Sequence, residues 1–262
     1  TWLINMAKSY LLQGLNVVYF SLEIGEDTIT ERSDVSMMEM RFDEMRALEK
    51  TPYLNRIKKI QEKTSGRFNI KEYPPGSIHV GHLRHYLNEL KLKKNFKVDV
   101  IIVDYITLLA SAHLPKSSKS DTNSYFTSVA EELRALAKEY NAILWTAAQF
   151  NRGGQDADDV GMGDTGLSIG IQATSDFTVA FMAPEEIAKL GKALGKVLKN
   201  RYANKMAIGK FLIGLDNDKQ AFSDLDESEQ RAVMEKDELE ALEKIKKPTP
   251  LSNKATDWQF GQ

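Results

Sequence analysis

The stretch VDVIIVDYI, residues 98–106, decides how the rest of the chain is read. Val100, Ile101, Ile102 and Val103 run unbroken into one carboxylate, Asp104. A continuous β-branched run, entered from a polar segment at residues 91–97, reads as a strand buried on both faces. An acid where such a strand runs out is placed to hold a magnesium–water shell beside a nucleotide phosphate. The same aspartate could equally do no more than cap the next turn. The run alone does not choose between the two.

Size and composition narrow the field. A chain of 262 residues can bury a full core, and one large α/β domain with a tail is the simplest division. Lysine and arginine (35) nearly balance aspartate and glutamate (37), for a formal net charge of −2. Any contact with nucleic acid therefore comes from particular loops and not from the overall field. There are no cysteines, which excludes disulfides and thiolate metal sites and fits a reducing, cytoplasmic setting. No apolar run approaches the ~20 residues of a membrane span, and no signal peptide is visible, so no membrane partner is expected. His79, His82 and His85 share a helical spacing, but no acidic or sulfur pattern accompanies them, and a solvated helix face is the expectation.

Working outward from the organising strand, residues 1–13 carry Leu3, Met6, Ala7, Tyr10 and Leu11 on one helical face, with Gly14 where a left-handed cap is wanted. Residues 16–22 (NVVYFSL) form a short strand that ends at Glu23. Residues 26–46 and 53–63 read as helices joined around Pro52, and residues 67–73 as a strand closed by Pro74, Pro75 and Gly76. Ser77 is expected to cap a helix that runs to about residue 93. Beyond the organising strand, residues 111–124 (SAHLPKSSKSDTNS) lack periodicity and read as a loop. A strong helix follows, marked by Phe126, Val129, Ala130, Leu133, Ala137 and Tyr140, then a strand at 143–148 that ends at Gln149. Residues 151–170, rich in Gly and Asp, are a second long loop. After it come a buried strand at 177–182, a helix opened by Pro184 and reaching about Ala193, and antiparallel strands at 195–202, 207–216 and 220–225. Residues 226–247 read as a charged helix and 248–262 as a flexible tail bearing Trp258 and Phe260.

Strands alternating with helices argue for an α/β fold: a mostly parallel sheet with helices on both faces, followed by antiparallel strands. Ligands in such sheets bind beyond the carboxyl ends of the strands. Three strands here end in Glu23, Asp104 and Gln149, so these side chains are expected to meet at one rim.

In order and spacing, FSLE at residues 20–23, IIVDY at 101–105, AEELRALAKEYNAILWTAAQFNR at 130–152 and KNR at 199–201 resemble the ATPase domain of DnaB-type replicative helicases. The resemblance is closest to the branch carried by tailed phages, and it covers residues 1–225. It implies a RecA-like P-loop NTPase core acting as a ring of six subunits, a DNA-dependent ATP hydrolase with ATP and Mg²⁺ as cofactors. By the resemblance, Asp104 is the Walker B aspartate that holds the Mg²⁺ shell, and Glu23 deprotonates the attacking water. Tyr105 follows Asp104 where an acid could otherwise stand, so the base has to come from a neighbouring strand end. Gln149 matches the glutamine that senses the γ-phosphate, and Lys199 with Arg201 matches the basic pair that reaches into a neighbouring subunit's nucleotide. Read without the family, that pair is an ordinary solvated strand edge.

The sequence departs from the family pattern at its beginning. The phosphate-cradling G-x-x-x-x-G-K-[ST] occurs nowhere in these 262 residues. Thr1 matches the last position of that motif, where its hydroxyl would join Asp104 at the metal. The expectation is a fragment lacking the first core strand and the glycine loop, one that binds ATP poorly by itself.

The resemblance further implies that single-stranded DNA is held by two channel loops. The candidates are Lys116 and Lys119 in the first loop, and Asn151, Arg152, Asp164, Gly166, Ser168 and Gly170 in the second, where DTGLSIG (164–170) matches a backbone-amide phosphate contact. Primase and other replisome proteins are implied partners. Two other readings stay open: a RecA-type recombinase ATPase sharing the strand-end carboxylates, and a non-catalytic RecA-like module that assembles a replisome through its tail.

Overall fold

In a computed structural model the described residues are 1–76, 78–115, 122–149, 169–204 and 209–231. A first sheet has strand order β2-β1-β3-β4, formed by β1 (Val17–Ser21), β2 (Phe68–Glu72), β3 (Val100–Asp104) and β4 (Ile143–Thr146), all parallel. Alternation along the strands divides the core. Val17, Tyr19, Val100 and Ile102 face helices α1 (Trp2–Leu12) and α2 (Glu26–Met38), where Leu3, Ile4, Ala7 and Ile29 meet them. Val18, Phe20, Ile101 and Val103 face α5 (Val80–Lys94) and α6 (Thr122–Tyr140). Every residue from Val100 to Val103 has zero exposure. Burial of each such side chain is worth roughly 1.5–3 kcal/mol, enough to bind the strand into the centre of the sheet. The organising stretch is therefore the doubly covered strand that its composition implied.

A second, antiparallel sheet has order β5-β6-β7-β8, from β5 (Phe177–Met182), β6 (Lys192–Asn200), β7 (Lys210–Asp216) and β8 (Ala221–Asp224). It is tied to the first by Trp2, whose ring lies 4.0 Å from that of Phe181 and 5.1 Å from that of Phe222. Asn5 reinforces the join, its side-chain amide donating to the Gln220 carbonyl at 2.8 Å while its carbonyl accepts from the Phe222 N–H.

Several boundaries differ from the sequence reading. The helix expected over 26–46 is two, because Glu39 adopts a left-handed conformation (φ 56) that ends α2, and α3 (Phe42–Arg46) starts afresh. Pro52 lies inside the first turn of α4 (Lys50–Lys63), where a missing N–H costs nothing, and not at a joint. The cap of α5 is His79, not Ser77: its Nδ1 accepts from the Gly81 N–H, while Nδ1 of His82 accepts from the His79 N–H. Those two imidazoles serve the helix end. The second loop gives way at Ile169 to a short helix, α7 (Ile169–Thr174), which the glycine-rich composition hid. The helix after Pro184 is only α8 (Glu185–Ala188), since Gly191 turns at φ 65 and β6 begins at Lys192, so Ala193 is a strand residue. The charged C-terminal helix is described only as far as residue 231, and the tail with Trp258 and Phe260 lies outside the described residues. Among the described residues, no helix is long and apolar enough to cross a membrane.

Candidate nucleotide site

The register of the parallel sheet brings the strand ends together. Ser21 pairs with Asp104, and Val103 with Thr146. The chain keeps this alignment just past the strands: the Leu22 N–H donates to the Asp104 carbonyl at 2.9 Å, and the Ile106 N–H to that of Ala147 at 3.2 Å. Glu23 and Gln149 leave their strands on the same rim as Asp104, both exposed to solvent. β4 stops at Thr146, so Gln149 follows three residues beyond its strand end, while Asp104 closes β3 itself and Glu23 stands two residues past β1.

Asp104 lies on the α1 side of the sheet, because it continues the alternation of Val100 and Ile102. Tyr19, on the adjacent strand and only 1% exposed, donates its hydroxyl to Asp104 Oδ2 at 2.5 Å. Burial, then the Asp104 charge, then this hydrogen bond push the Tyr19 phenol well above its ordinary value. It stays protonated and remains a donor, fixing one carboxylate oxygen while the other is left for a ligand. Glu23 sits near enough for its charge to act on Tyr105, whose phenol is raised first by burial and then by Glu23 and Asp104.

Thr1 opens α1 beside these groups. Its hydroxyl donates to Gln220 Oε1 at 3.0 Å, which leaves the lone pairs of Oγ1 directed away from that bond. The backbone nitrogen of Thr1 lies within electrostatic reach of Arg32 and Asp104, so Thr1, Arg32 and Asp104 share one neighbourhood. A hydroxyl, a carboxylate and a guanidinium are hard-oxygen donors with a balancing cation, a set that suits Mg²⁺ and a polyphosphate. Among the described residues there is no cluster of three or more His, Cys, Asp or Glu to favour a different metal.

Two members of this site escaped the sequence reading. Tyr19 was legible only as one aromatic in a buried strand, since its partner is 85 positions away. Arg32 left a weak signal: it lies on the same helical stripe as Ile29 and Ser33, both buried, where an arginine is out of place. It is half-buried, and among the described residues it has no hydrogen-bonded or ion-paired carboxylate.

Lys199 and Arg201 stand apart from the rim. The Lys199 ammonium donates to the carbonyls of Gln172 and Ala173, at 2.7 and 2.6 Å, and Arg201 donates to Asp176 Oδ1 at 2.7 Å. Burial, then repulsion by Arg201, lower the Lys199 ammonium. Among the described residues, none of their partners is Glu23, Asp104 or Gln149. Of the DNA-loop candidates, Lys116, Lys119, Asn151, Arg152, Asp164, Gly166 and Ser168 lie outside the described residues. Gly170 is not a loop residue. It sits in α7 against α6, where an added Cβ would fall 1.6 Å from Thr127 Oγ1, so its lack of a side chain serves helix packing. The base of the first loop is held by buried Glu132, which accepts from the Ser111 hydroxyl at 2.6 Å and from the Ala112 N–H.

Comparison with known proteins agrees with this geometry. The family described as DnaB-like helicase C terminal domain matches residues 1–210, slightly short of the span read from the motifs. A DnaB-like replicative helicase of Enterobacteria phage T4 is 39% identical over 230 residues, which cover 86% of this chain and 48% of that protein. This chain thus spans about half the length of that relative. Two solved structures share the fold at 16% sequence identity, a level that speaks for the fold alone. One, described as an ATPase domain, has a TM-score of 0.69, with 85% of this chain and 79% of that one covered. The other, a DnaB-like replicative helicase described with its interactions with primase, has a TM-score of 0.68, with 85% and 54% covered. With the family model spanning most of the chain and the strand-end carboxylates at one rim, the chain belongs to the DnaB-like helicase C-terminal domain family.

Proposed function

We propose that this chain is the motor part of a replicative DNA helicase, which couples ATP hydrolysis to movement along single-stranded DNA and to duplex unwinding in a ring of six. The observation that carries this reading is the common register of the β1 and β3 ends, where Glu23 and Asp104 both act on Tyr105, with Thr1 beside Asp104. Thr1 Oγ1 and the free oxygen of Asp104 would hold Mg²⁺, which neutralises charge on the triphosphate when bound. Glu23 accepts the proton of the attacking water at its exposed carboxylate. Gln149 contacts the γ-phosphate end, and Arg32, unpaired by any described carboxylate, contacts phosphate oxygens in its own subunit. Lys199 and Arg201 stabilise transition-state charge in the next subunit.

Single-stranded DNA is held through Lys116 and Lys119 of the first loop and residues 151–168 of the second, with a salt-dependent affinity. Primase is the partner class suggested by the structural relative described with it, and the cytoplasm is the setting, that of the host cell if the protein is phage-encoded. The test is unwinding of a forked duplex by the full-length protein, with ATP hydrolysis measured with and without single-stranded DNA. ATP-dependent unwinding and DNA-stimulated hydrolysis are expected. A protein that binds DNA and replisome partners but never hydrolyses ATP would instead be the assembly module, and strand exchange without unwinding would make it a recombinase.

A further inference from the structure

One carboxylate oxygen joins three elements around Arg201. Asp176 Oδ1 accepts from Arg201 at 2.7 Å and from Arg134, on α6, at 2.8 Å. The other arm of Arg134 donates to the Thr174 carbonyl at the end of α7, and the second terminal nitrogen of Arg201 lies 3.5 Å from the Ala173 carbonyl. The Arg201 N–H closes the cluster by donating to the Asp176 carbonyl at 2.8 Å. Both ends of the Arg201 guanidinium are therefore engaged inside its own chain, on the carboxylate and on the carbonyl end of α7. In this arrangement its fork is not offered to a phosphate elsewhere. Lys199, Arg201 and Arg134 crowd one anion, and the helix-end carbonyls supply the remaining negative potential. Asp176 gains nothing catalytic from this place, since it is remote in partners from the Glu23–Asp104–Gln149 rim. What it does is decide where Arg201 rests.

We propose that Asp176 is a positioning residue that parks Arg201 against the end of α7, so that hydrolysis in the neighbouring subunit waits until the parking contact opens. The inference rests on the reading of Arg201 as a group that acts across the subunit boundary. Because α7 directly follows the segment assigned to DNA, displacement of its carbonyl end would remove half of the parking contact. Arg134 stays paired with the half-exposed Asp176 after Arg201 leaves, so release does not strand a lone carboxylate.

The experiment compares ATP hydrolysis by the full-length protein, with and without single-stranded DNA, for Asp176→Asn, Asp176→Glu, Arg201→Ala and the double variant Asp176→Asn with Arg201→Ala. Asp176→Asn keeps the shape and weakens the anchor, so DNA-independent hydrolysis should rise by roughly fivefold or more, the range of ordinary coupling. DNA stimulation should shrink by a similar factor. Asp176→Glu, which keeps the charge, should restore low basal hydrolysis, and thereby separates parking from a folding defect. The double variant should be as inactive as Arg201→Ala. Unchanged or reduced basal hydrolysis in Asp176→Asn, with the stimulation ratio preserved, overturns the parking role while leaving the cross-subunit reading intact. Normal hydrolysis by Arg201→Ala overturns that reading itself.

Discussion

Replacing Tyr19 with phenylalanine isolates the hydrogen bond that holds Asp104. The hydroxyl lies 2.5 Å from Asp104 Oδ2, on a side chain that is 1% exposed. A hydrogen bond to a charged acceptor contributes about 1.5–3 kcal/mol. The variant keeps the ring, including its edge contact with Phe68 at 6.4 Å between centroids. Asp104 is half-buried, so its freed oxygen regains water, which places the stability loss near the low end of that range. A fall in Tm of about 3–6 °C follows for a domain of this size. The functional loss should be larger, because a group that orients a metal-holding carboxylate is worth about 10–100-fold in metal affinity or activity. The assay is ATP hydrolysis by the full-length protein across a Mg²⁺ titration, paired with a thermal melt. Burial and the Asp104 charge hold the phenol above its ordinary value of about 10, so its contribution is complete below that pH and is lost only as pH rises beyond it. The gap between wild type and variant should therefore stay flat across neutral pH. An unchanged Mg²⁺ midpoint would refute the idea that Tyr19 sets the carboxylate.

Other consequences are narrower. Gly170→Ala drives a Cβ into Thr127, and should destabilise the domain by about 1–3 kcal/mol in a denaturant melt, as overpacking does; pairing it with Thr127→Gly or Thr127→Ala should recover much of the loss. Arg32→Ala should weaken ATP binding by roughly 10–100-fold, the loss of charge-assisted contacts, while a melt shows little change because no described carboxylate is left unpaired. The Tyr53 hydroxyl donates to Asp34, and that bond, with burial, pushes its ionisation up to about 12. Its stabilising effect is complete below the unfolded value near 10 and disappears as pH rises through 12, so melts of Tyr53→Phe should lack the wild type's extra loss across that interval.

Much of the site was legible because it lies at strand ends, and strands of this kind announce themselves. Val100–Asp104 could be read as doubly buried from composition, and a parallel sheet then forces its neighbours' ends onto the same rim. What stayed hidden depended on contacts distant in sequence or on local backbone choices. Tyr19 gives no hint that its hydroxyl meets Asp104, and nothing about Asp176 foretells that two arginines from different elements share one oxygen. The break at Glu39 required a left-handed conformation at a residue that usually avoids it, and α7 is too short to generate a periodic pattern. His79 displaced Ser77 as a cap because an imidazole nitrogen can accept from a helix N–H as a hydroxyl does, a substitution that residue statistics undervalue.

The role of Glu23 is the most direct point to test. Single-turnover hydrolysis by full-length Glu23→Gln, alongside its ATP affinity, separates proton abstraction from binding, since glutamine keeps the shape but not the base. If Glu23 takes the proton, affinity stays close to wild type and hydrolysis falls by about 100-fold or more, with or without DNA. Hydrolysis within a few-fold of wild type, at normal affinity, would mean that the rim of the parallel sheet is not where ATP is broken.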